Sequence, residues 1–319
     1  MRVAVCTIAT RSYFAKVRSL FASVAEFEPG YDCFAFAVDD VDGVQELAEG
    51  TIVRPPAVYA PEDYDALVRG YDVIELATAI KPAVLRHLLD RGYDRVLYLD
   101  SDIQVFAPLS PVVDPLEFND IVLTPHIVDA VPIGGRLRAE LAIARTGVFN
   151  LGFIAVANTA NARALLDWWG ARLAEFCRAD VRSGLFVDQR WIDLVPGIFE
   201  RTFIVRHRGC NVGYWNLLAR PLADDDRLRL QTGEPVIFFH FSGFDARRPE
   251  RLCGLPVPIR LSEHPRLAAL LSAYAARLIA YGDLEQSEIP YALPLPLNAR
   301  LRALGRWLFR QRVRWRYSA

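Results

Sequence analysis

The segment RVLYLDSDIQVF, residues 95–106, constrains this chain more than any other. Val96 to Leu99 form a continuous apolar run, the pattern of a strand buried on both faces. The run stops at Asp100 and Asp102, with only Ser101 between them. Carboxylates beside a buried strand are costly unless something positive compensates them. Two readings fit. Asp at a strand end favours a turn and caps the next element. Alternatively, side chains two apart in an extended segment share a direction, so both acids address one point where a divalent cation would accept hard oxygen ligands.

The flanking sequence puts that strand in an α/β fold. VAVCTIA, residues 3–9, reads as a first strand, followed by a helical stretch from Tyr13 to about Ala25. CFAFAV, residues 33–38, reads as a second strand ending on Asp39 and Asp40, and residues 62–91 read as helical with Pro82 opening a new helix. Strands alternating with helices argue for a largely parallel sheet. Ligands of such sheets gather at the carboxyl ends of the strands, where Thr7 to Tyr13, Asp39 and Asp100 to Asp102 fall. Further along, DIVLTPH (120–126), VFNLGFIAVA (148–157) and PVIFFHFSGF (235–244) read as strands. Residues 160–177 read as a helix, and VDQRWIDLVP (187–196) as a short one stopped by Pro196. Residues 264–281 and 297–316 also read as helical.

Composition narrows the class. Of 319 residues, 52% are hydrophobic, so a sizeable core is available and the composition argues against disorder. The net charge of −1 carries no nucleic-acid signature, but it is unevenly spread. Residues 1–288 hold 30 basic and 38 acidic side chains, whereas the last 31 residues hold seven Arg and no acid. The five cysteines form no CxxC pair and are odd in number, which fits buried thiols in a reducing cytoplasm. The N-terminus is too short for a cleaved signal peptide, and no stretch reaches the length of a membrane-spanning helix. Lysine occurs only at 16 and 81, against 35 Arg.

Four polar motifs end apolar elements in a fixed order: YLDSDIQV, VFNLGFIAV, VDQRWIDLVP and FFHFSGF. In this the chain resembles the GT-A glycosyltransferases, and among them the retaining enzymes of glycosyltransferase family 8, over roughly residues 1–245. The resemblance implies a Rossmann-like, mostly parallel central sheet flanked by helices, with residues 246–319 as a largely helical C-terminal extension. It implies transfer of a sugar from a nucleotide sugar, a UDP-sugar by the family's habit, to a glycan, glycolipid or other hydroxyl acceptor. Retention of configuration is implied in the same way.

Within that resemblance, Asp100, Asp102 and His240 form the metal site. A mixed oxygen and nitrogen set suits Mn²⁺, with Mg²⁺ as the alternative. The metal would act as a Lewis acid for the departing diphosphate. Gly243 would let the backbone approach the phosphates, and Ser101 lies on the donor side of the acid pair. Tyr13 falls where the family binds its base and Thr7 beside it, while Lys81 falls where the family places a basic residue toward donor sugar and diphosphate. Asn150 matches the family's Asn that bonds donor hydroxyls. Asp188 and Gln189 match the pair beside the reacting sugar carbon, Gln189 on its β-face and Asp188 orienting sugar or acceptor. Each has a plainer reading. Tyr13 can pack on the following helix, Lys81 can be a solvated helix end, Asn150 strand-end turn chemistry, Asp188 a helix N-cap, His240 an inert core histidine and Gly243 a turn glycine. The chain also departs from the family, with Thr7 and Thr10 standing where an acidic residue is common after the first strand.

Rival classes leave different marks. A phosphatase of the haloacid-dehalogenase class also ends a strand with Asp-x-Asp, but it needs a downstream Lys, and none follows Lys81. A sugar nucleotidyltransferase of related fold needs a Gly-rich basic loop after the first strand, and TIATRSY has no Gly. A non-catalytic nucleotide-sugar-binding protein that kept the fold is compatible with everything above. In the tail, Leu297, Leu301, Leu304, Leu308 and Trp315 share one helical stripe beside a row of Arg302, Arg306 and Arg310. Such a helix either lies on an anionic membrane surface, making the protein cytoplasmic and peripheral on the inner membrane face, or packs on the acidic body.

Overall fold

The structure is a computed structural model that describes residues 1–295 apart from 43, 45, 131–136, 226 and 256, and apart from the side chains of 137 and 138. The tail helix expected at 297–316 lies outside the described residues. Among those described, no helix is long and apolar enough to cross a membrane.

The chain begins with β1 (Val3–Ala9), α1 (Phe14–Phe27), β2 (Asp32–Ala37) and β3 (Thr51–Val53). Residues 62–91, expected as helix, divide into α2 (Pro61–Gly70), α3 (Val73–Ala79) and α4 (Lys81–Asp90). Asp72 closes a capping box with Glu75 at the start of α3, and Pro82 sits in the first turn of α4. Then come β4 (Arg95–Leu99), β5 (Ile103–Val105), α5 (Ser110–Val113), β6 (Ile121–Pro125), α6 (Leu137–Thr146), β7 (Phe149–Ala157) and α7 (Ala160–Phe176). The last part carries α8 (Gln189–Ile192), α9 (Val195–Ile198), β8 (Thr202–Ile204), β9 (Phe238–His240), α10 (Pro265–Ala280) and α11 (Asp283–Gln286). Pro196 does not stop a helix as expected. It occupies the first turn of α9, where its missing N–H has no partner to lose.

Among the described residues, seven strands form one sheet in the order β3-β2-β1-β4-β7-β6-β8, and β5 and β9 form a separate antiparallel pair. β1, β2, β3 and β4 are mutually parallel where they pair, while β7 runs antiparallel to both β4 and β6. From β1 the chain winds outward through β2 to β3, then returns to place β4 on the other side of β1. The loops after β1 and β4 therefore diverge and leave a crevice at their carboxyl ends. Because β7 is antiparallel, its first residues, Asn150 to Gly152, lie beside the end of β4, with Leu99 facing Phe153.

Three apolar clusters hold this frame. One covers the sheet face under α2, α3, α4 and α7, with Trp169 fully buried, and a second joins the opposite face to α1 and β5. The third packs Phe239 and Phe241 against Leu267, Leu271 and Tyr274 of α10. That cluster crosses residue 245, the expected end of the catalytic domain. All five cysteines are buried and free.

Candidate active site

The acid pair stands in a turn. β4 ends at Leu99, and Asp100 O accepts the Ile103 amide at 3.0 Å, so residues 100–102 are not extended. The two-apart strand argument for a shared direction therefore fails, yet the acids still converge. Asp100 N donates to Gly152 O at 2.8 Å and Asp102 O accepts from Phe241 N at 2.8 Å, which ties the turn to β7 on one side and to the end of β9 on the other. Pairing of β5 with β9 sets His240 opposite Ile103. His240 Nε2 then lies 3.0 Å from Asp102 Oδ1 and 3.7 Å from Asp100 Oδ2.

One ligand atom from each of Asp100, Asp102 and His240 falls within 4.8 Å of the others, the single such grouping of three among the described residues. The Asp100 side chain is 35% exposed, Asp102 17% and His240 5%, so the site opens on its Asp100 side and is walled by the imidazole. Burial alone would push His240 down, but Asp102 and Asp100 outweigh it and hold the ring above its ordinary range. Burial likewise opposes ionisation of Asp102, and His240 and then Lys16 hold that carboxyl below its ordinary range. Two hard oxygens and an imidazole nitrogen, in a field that favours added positive charge, fit a divalent cation of the Mn²⁺ or Mg²⁺ type.

The glycine of the Asn150-x-Gly152 motif has a steric reason. A Cβ on Gly152 would stand 2.3 Å from His240 Cε1 and 2.6 Å from its Nδ1. The imidazole occupies the volume that any other residue would fill. Gly152→Ala is therefore expected to push the ring out of the site, lowering metal affinity at least tenfold at an overpacking cost of about 1–3 kcal/mol. Calorimetric Mn²⁺ titration beside a thermal melt checks this, and unchanged metal affinity in the folded variant would remove His240 from the ligand set.

Lys81 and Asp188 meet in the interior. Lys81 Nζ donates to Asp188 Oδ2 at 2.5 Å and to Leu151 O at 2.8 Å, and it sits 4.2 Å above the ring of Tyr98. Tyr98 Oη in turn donates to Asp100 Oδ1 at 2.6 Å. The ammonium is thus neither a solvated helix end nor directed at an open phosphate position. Burial pushes the Asp188 carboxyl up, and Lys81 pulls the other way. Asp188 does occupy the N-cap position of α8, but its side chain makes no cap hydrogen bond. The helix-cap reading of this carboxylate fails, because Lys81 takes it instead.

The remaining expected residues divide. Gln189 is buried, accepting from Leu151 N at 3.1 Å and donating to Thr146 O at 2.9 Å. Asn150 is buried too, its Oδ1 accepting from Gly152 N at 3.0 Å and from Asn211 Nδ2 at 3.1 Å. Thr7 is fully buried and its hydroxyl finds no hydrogen-bond partner. Ser101 is buried within the acid turn. Tyr13 is 44% exposed beyond β1, with Lys16 Nζ 4.1 Å from its ring centroid. Gly243 is exposed at φ 71°, a left-handed backbone that glycine adopts freely. Asp39 accepts from Arg11 N at 2.8 Å and Ala292 N at 3.3 Å, so it braces the loop after β1.

Several contributors carried no motif. Lys16 supports the charge of Asp102 from α1, Tyr98 links Asp100 to Lys81, and Asn211 approaches His240 Nδ1 at 3.3 Å. The only sequence signal for Lys16 is the rarity of lysine itself, and Asn211 lies in a stretch without periodic pattern.

No family model matches the chain. Two Bacillus subtilis (strain 168) proteins, YfnF and YfnD, both uncharacterized, are each 26% identical to it, over 250 and 222 residues. These matches span 76% and 68% of this chain and 82% and 68% of the relatives. Among solved structures, the galactosyltransferase LgtC in complex with donor and acceptor sugar analogs superposes with a TM-score of 0.50 at 16% identity, covering 86% of this chain and 99% of that one. The chain has the GT-A fold. Apo GlyE of Streptococcus pneumoniae TIGR4 gives the same TM-score at 12% identity, over 91% of this chain and 65% of that one. Within the GT-A fold, the crevice between β1 and β4 and the acid turn after β4 are the features that position the candidate site.

Proposed function

We propose that the chain is a metal-dependent glycosyltransferase that moves a sugar from a UDP-sugar to a hydroxyl acceptor, with retention of configuration. The observation that carries this reading is the convergence of Asp100, Asp102 and His240 at the carboxyl end of β4, in the crevice of a GT-A fold. These three would hold Mn²⁺ or Mg²⁺, which when bound supplies Lewis-acid stabilisation of the departing diphosphate. Tyr13, exposed beyond β1, is assigned to the base together with Thr7, and Ser101 and Gly243 are assigned to the phosphates. Lys16, beside Asp102, supplies further positive charge.

On the sugar side, the proposal assigns specific atoms. An amide nitrogen carries two hydrogens and an amide oxygen two lone pairs. Asn150 keeps one Nδ2 hydrogen for a donor hydroxyl after serving its internal partner, and Gln189 keeps one Oε1 lone pair after serving Leu151 N. Asp188, buried with its Oδ2 held by Lys81 Nζ, is assigned to the sugar side, with Lys81 as its positioning residue. Negative charge held there stabilises an oxocarbenium-like transition state. Turnover of UDP-sugars to UDP with and without Mn²⁺ tests the assignment.

The acceptor is a glycan or lipid-linked glycan, and residues 297–316 are proposed to hold the protein at the anionic inner surface of the cell membrane. Truncation before Asn298 is expected to lower sedimentation with anionic vesicles while leaving turnover of soluble substrates nearly intact. Equal vesicle binding by both forms would reject the membrane contact.

A further inference from the structure

His126, at the end of β6, touches none of the three proposed ligands, yet it heads a hydrogen-bond chain that ends on one of them. Its Nδ1 lies 3.1 Å from Val148 O, an atom that can only accept. The proton is therefore on Nδ1, and Nε2 presents a lone pair. Asn150 Nδ2 points at that lone pair from 3.2 Å. Asn150 Oδ1 then faces Gly152 N and Asn211 Nδ2, at 3.0 and 3.1 Å. Gly152 N can only donate, so a second fixed group independently gives the same amide orientation. Asn211 Nδ2 also donates to Thr124 Oγ1 at 2.8 Å, which leaves Asn211 Oδ1 to accept from His240 Nδ1 at 3.3 Å. His240 Nδ1 therefore keeps its proton, and Nε2, which without a cation donates to Asp102 Oδ1 at 3.0 Å, is the nitrogen that gives up its proton when a cation takes that place.

The frame around this chain is closed. Asn211 is fully buried at φ 52°, a left-handed conformation that Asn tolerates better than most residues. Asn216 pins it there, donating to Asn211 O and to His126 O, both at 3.0 Å, with its own orientation fixed by Gly213 N. Trp215 stands edge-on between the two imidazoles, 5.5 Å from His126 and 5.2 Å from His240. Burial holds His126 down at about 4, so the ring at the head of the chain stays neutral through the ordinary pH range.

We propose that His126 is a positioning residue that sets the tautomer of His240 through Asn150 and Asn211. The carbonyl of Val148 thus decides, three side chains away, which nitrogen faces the cation. A hydrogen bond on the far ring nitrogen is the usual means by which a protein fixes a metal-binding imidazole. Here that role is passed along two side-chain amides, the last of which, Asn211, sets its Oδ1 3.3 Å from His240 Nδ1. The inference rests on the proposed metal site.

The test uses the full chain labelled with ¹⁵N-histidine, its five imidazoles assigned by single His→Gln variants. Two-bond proton–nitrogen correlations at pH 8.5 are expected to show His126 neutral with its proton on Nδ1, and His240 protonated on Nδ1. His126→Leu is expected to lower Mn²⁺ affinity on the order of tenfold, by manganese EPR, and to mix the His240 tautomers. His126→Gln keeps an acceptor for Asn150 and is expected to restore most of that loss. A His126 proton on Nε2 in the wild type would overturn the proposal, and needs no variant to fold. Unchanged Mn²⁺ affinity and an unchanged His240 pattern in folded His126→Leu would also overturn it. Failure of the wild type to bind Mn²⁺ would instead reject the functional reading, while the His126 tautomer in that sample still decides the relay.

Discussion

Asp102→Asn is expected to weaken metal-dependent UDP binding by on the order of a hundredfold or more, because even the hydrogen-bond partners of a metal ligand are worth roughly 10–100-fold. The substitution preserves shape. Its carbonyl oxygen can still face His240 Nε2, which Asp102 Oδ1 approaches to 3.0 Å. The backbone bond from Phe241 N to Asp102 O does not involve the side chain, so the turn is expected to survive. What changes is the charge that balances a divalent cation. Calorimetry of UDP in Mn²⁺ and in chelator, with a thermal melt alongside, reads this directly. Metal-independent UDP binding of wild-type strength in the variant would falsify the assignment of Asp102.

The second large effect concerns the buried pair. Lys81 and Asp188 are both nearly sealed from solvent, so removing one partner strands a charge in the interior. Asp188→Leu is expected to cost about 3–5 kcal/mol of stability. Replacing a whole buried pair by apolar residues is often neutral or better, so Lys81→Met with Asp188→Leu is expected to recover most of the melting temperature. Turnover should not recover. If the Asp188 carboxylate stabilises positive charge at the sugar, the double variant stays down by on the order of a hundredfold or more, the scale of one electrostatic stabiliser. The loss should fall on kcat rather than on donor affinity, because the interaction strengthens only in the transition state. A pair that is merely structural gives the opposite pattern, with activity returning together with the melt.

How much of this was legible in the sequence varied by residue. β1, β4 and β7 were legible because their apolar runs are bounded by polar residues that have somewhere specific to go. The convergence of Asp100, Asp102 and His240 was legible as a set, although for the wrong geometric reason: a turn, rather than strand periodicity, brings Asp100 and Asp102 together. The short edge strands β3 and β8 gave no signal, since three residues carry too little pattern to separate strand from loop. Lys81 was visible only as a charge on a helix. Its burial depends on Asp188, 107 positions away, and no local pattern encodes that separation. Asn211 and His126 were invisible for a related reason. Their roles are fixed by which atoms face fixed donors and acceptors on other strands, and that follows from packing rather than spacing. Pro196 shows the same limit in miniature, opening a second turn where the sequence suggested an end.

The most direct measurement of the central claim is release of UDP from a panel of UDP-sugars by the full chain, followed by ³¹P NMR with Mn²⁺ present and again after chelation. The account requires release from at least one UDP-sugar in Mn²⁺, its loss on chelation, and its loss in Asp102→Asn with Mn²⁺ restored. Release that continues undiminished in chelator, or that survives in Asp102→Asn, would contradict a metal-dependent transferase built on Asp100, Asp102 and His240.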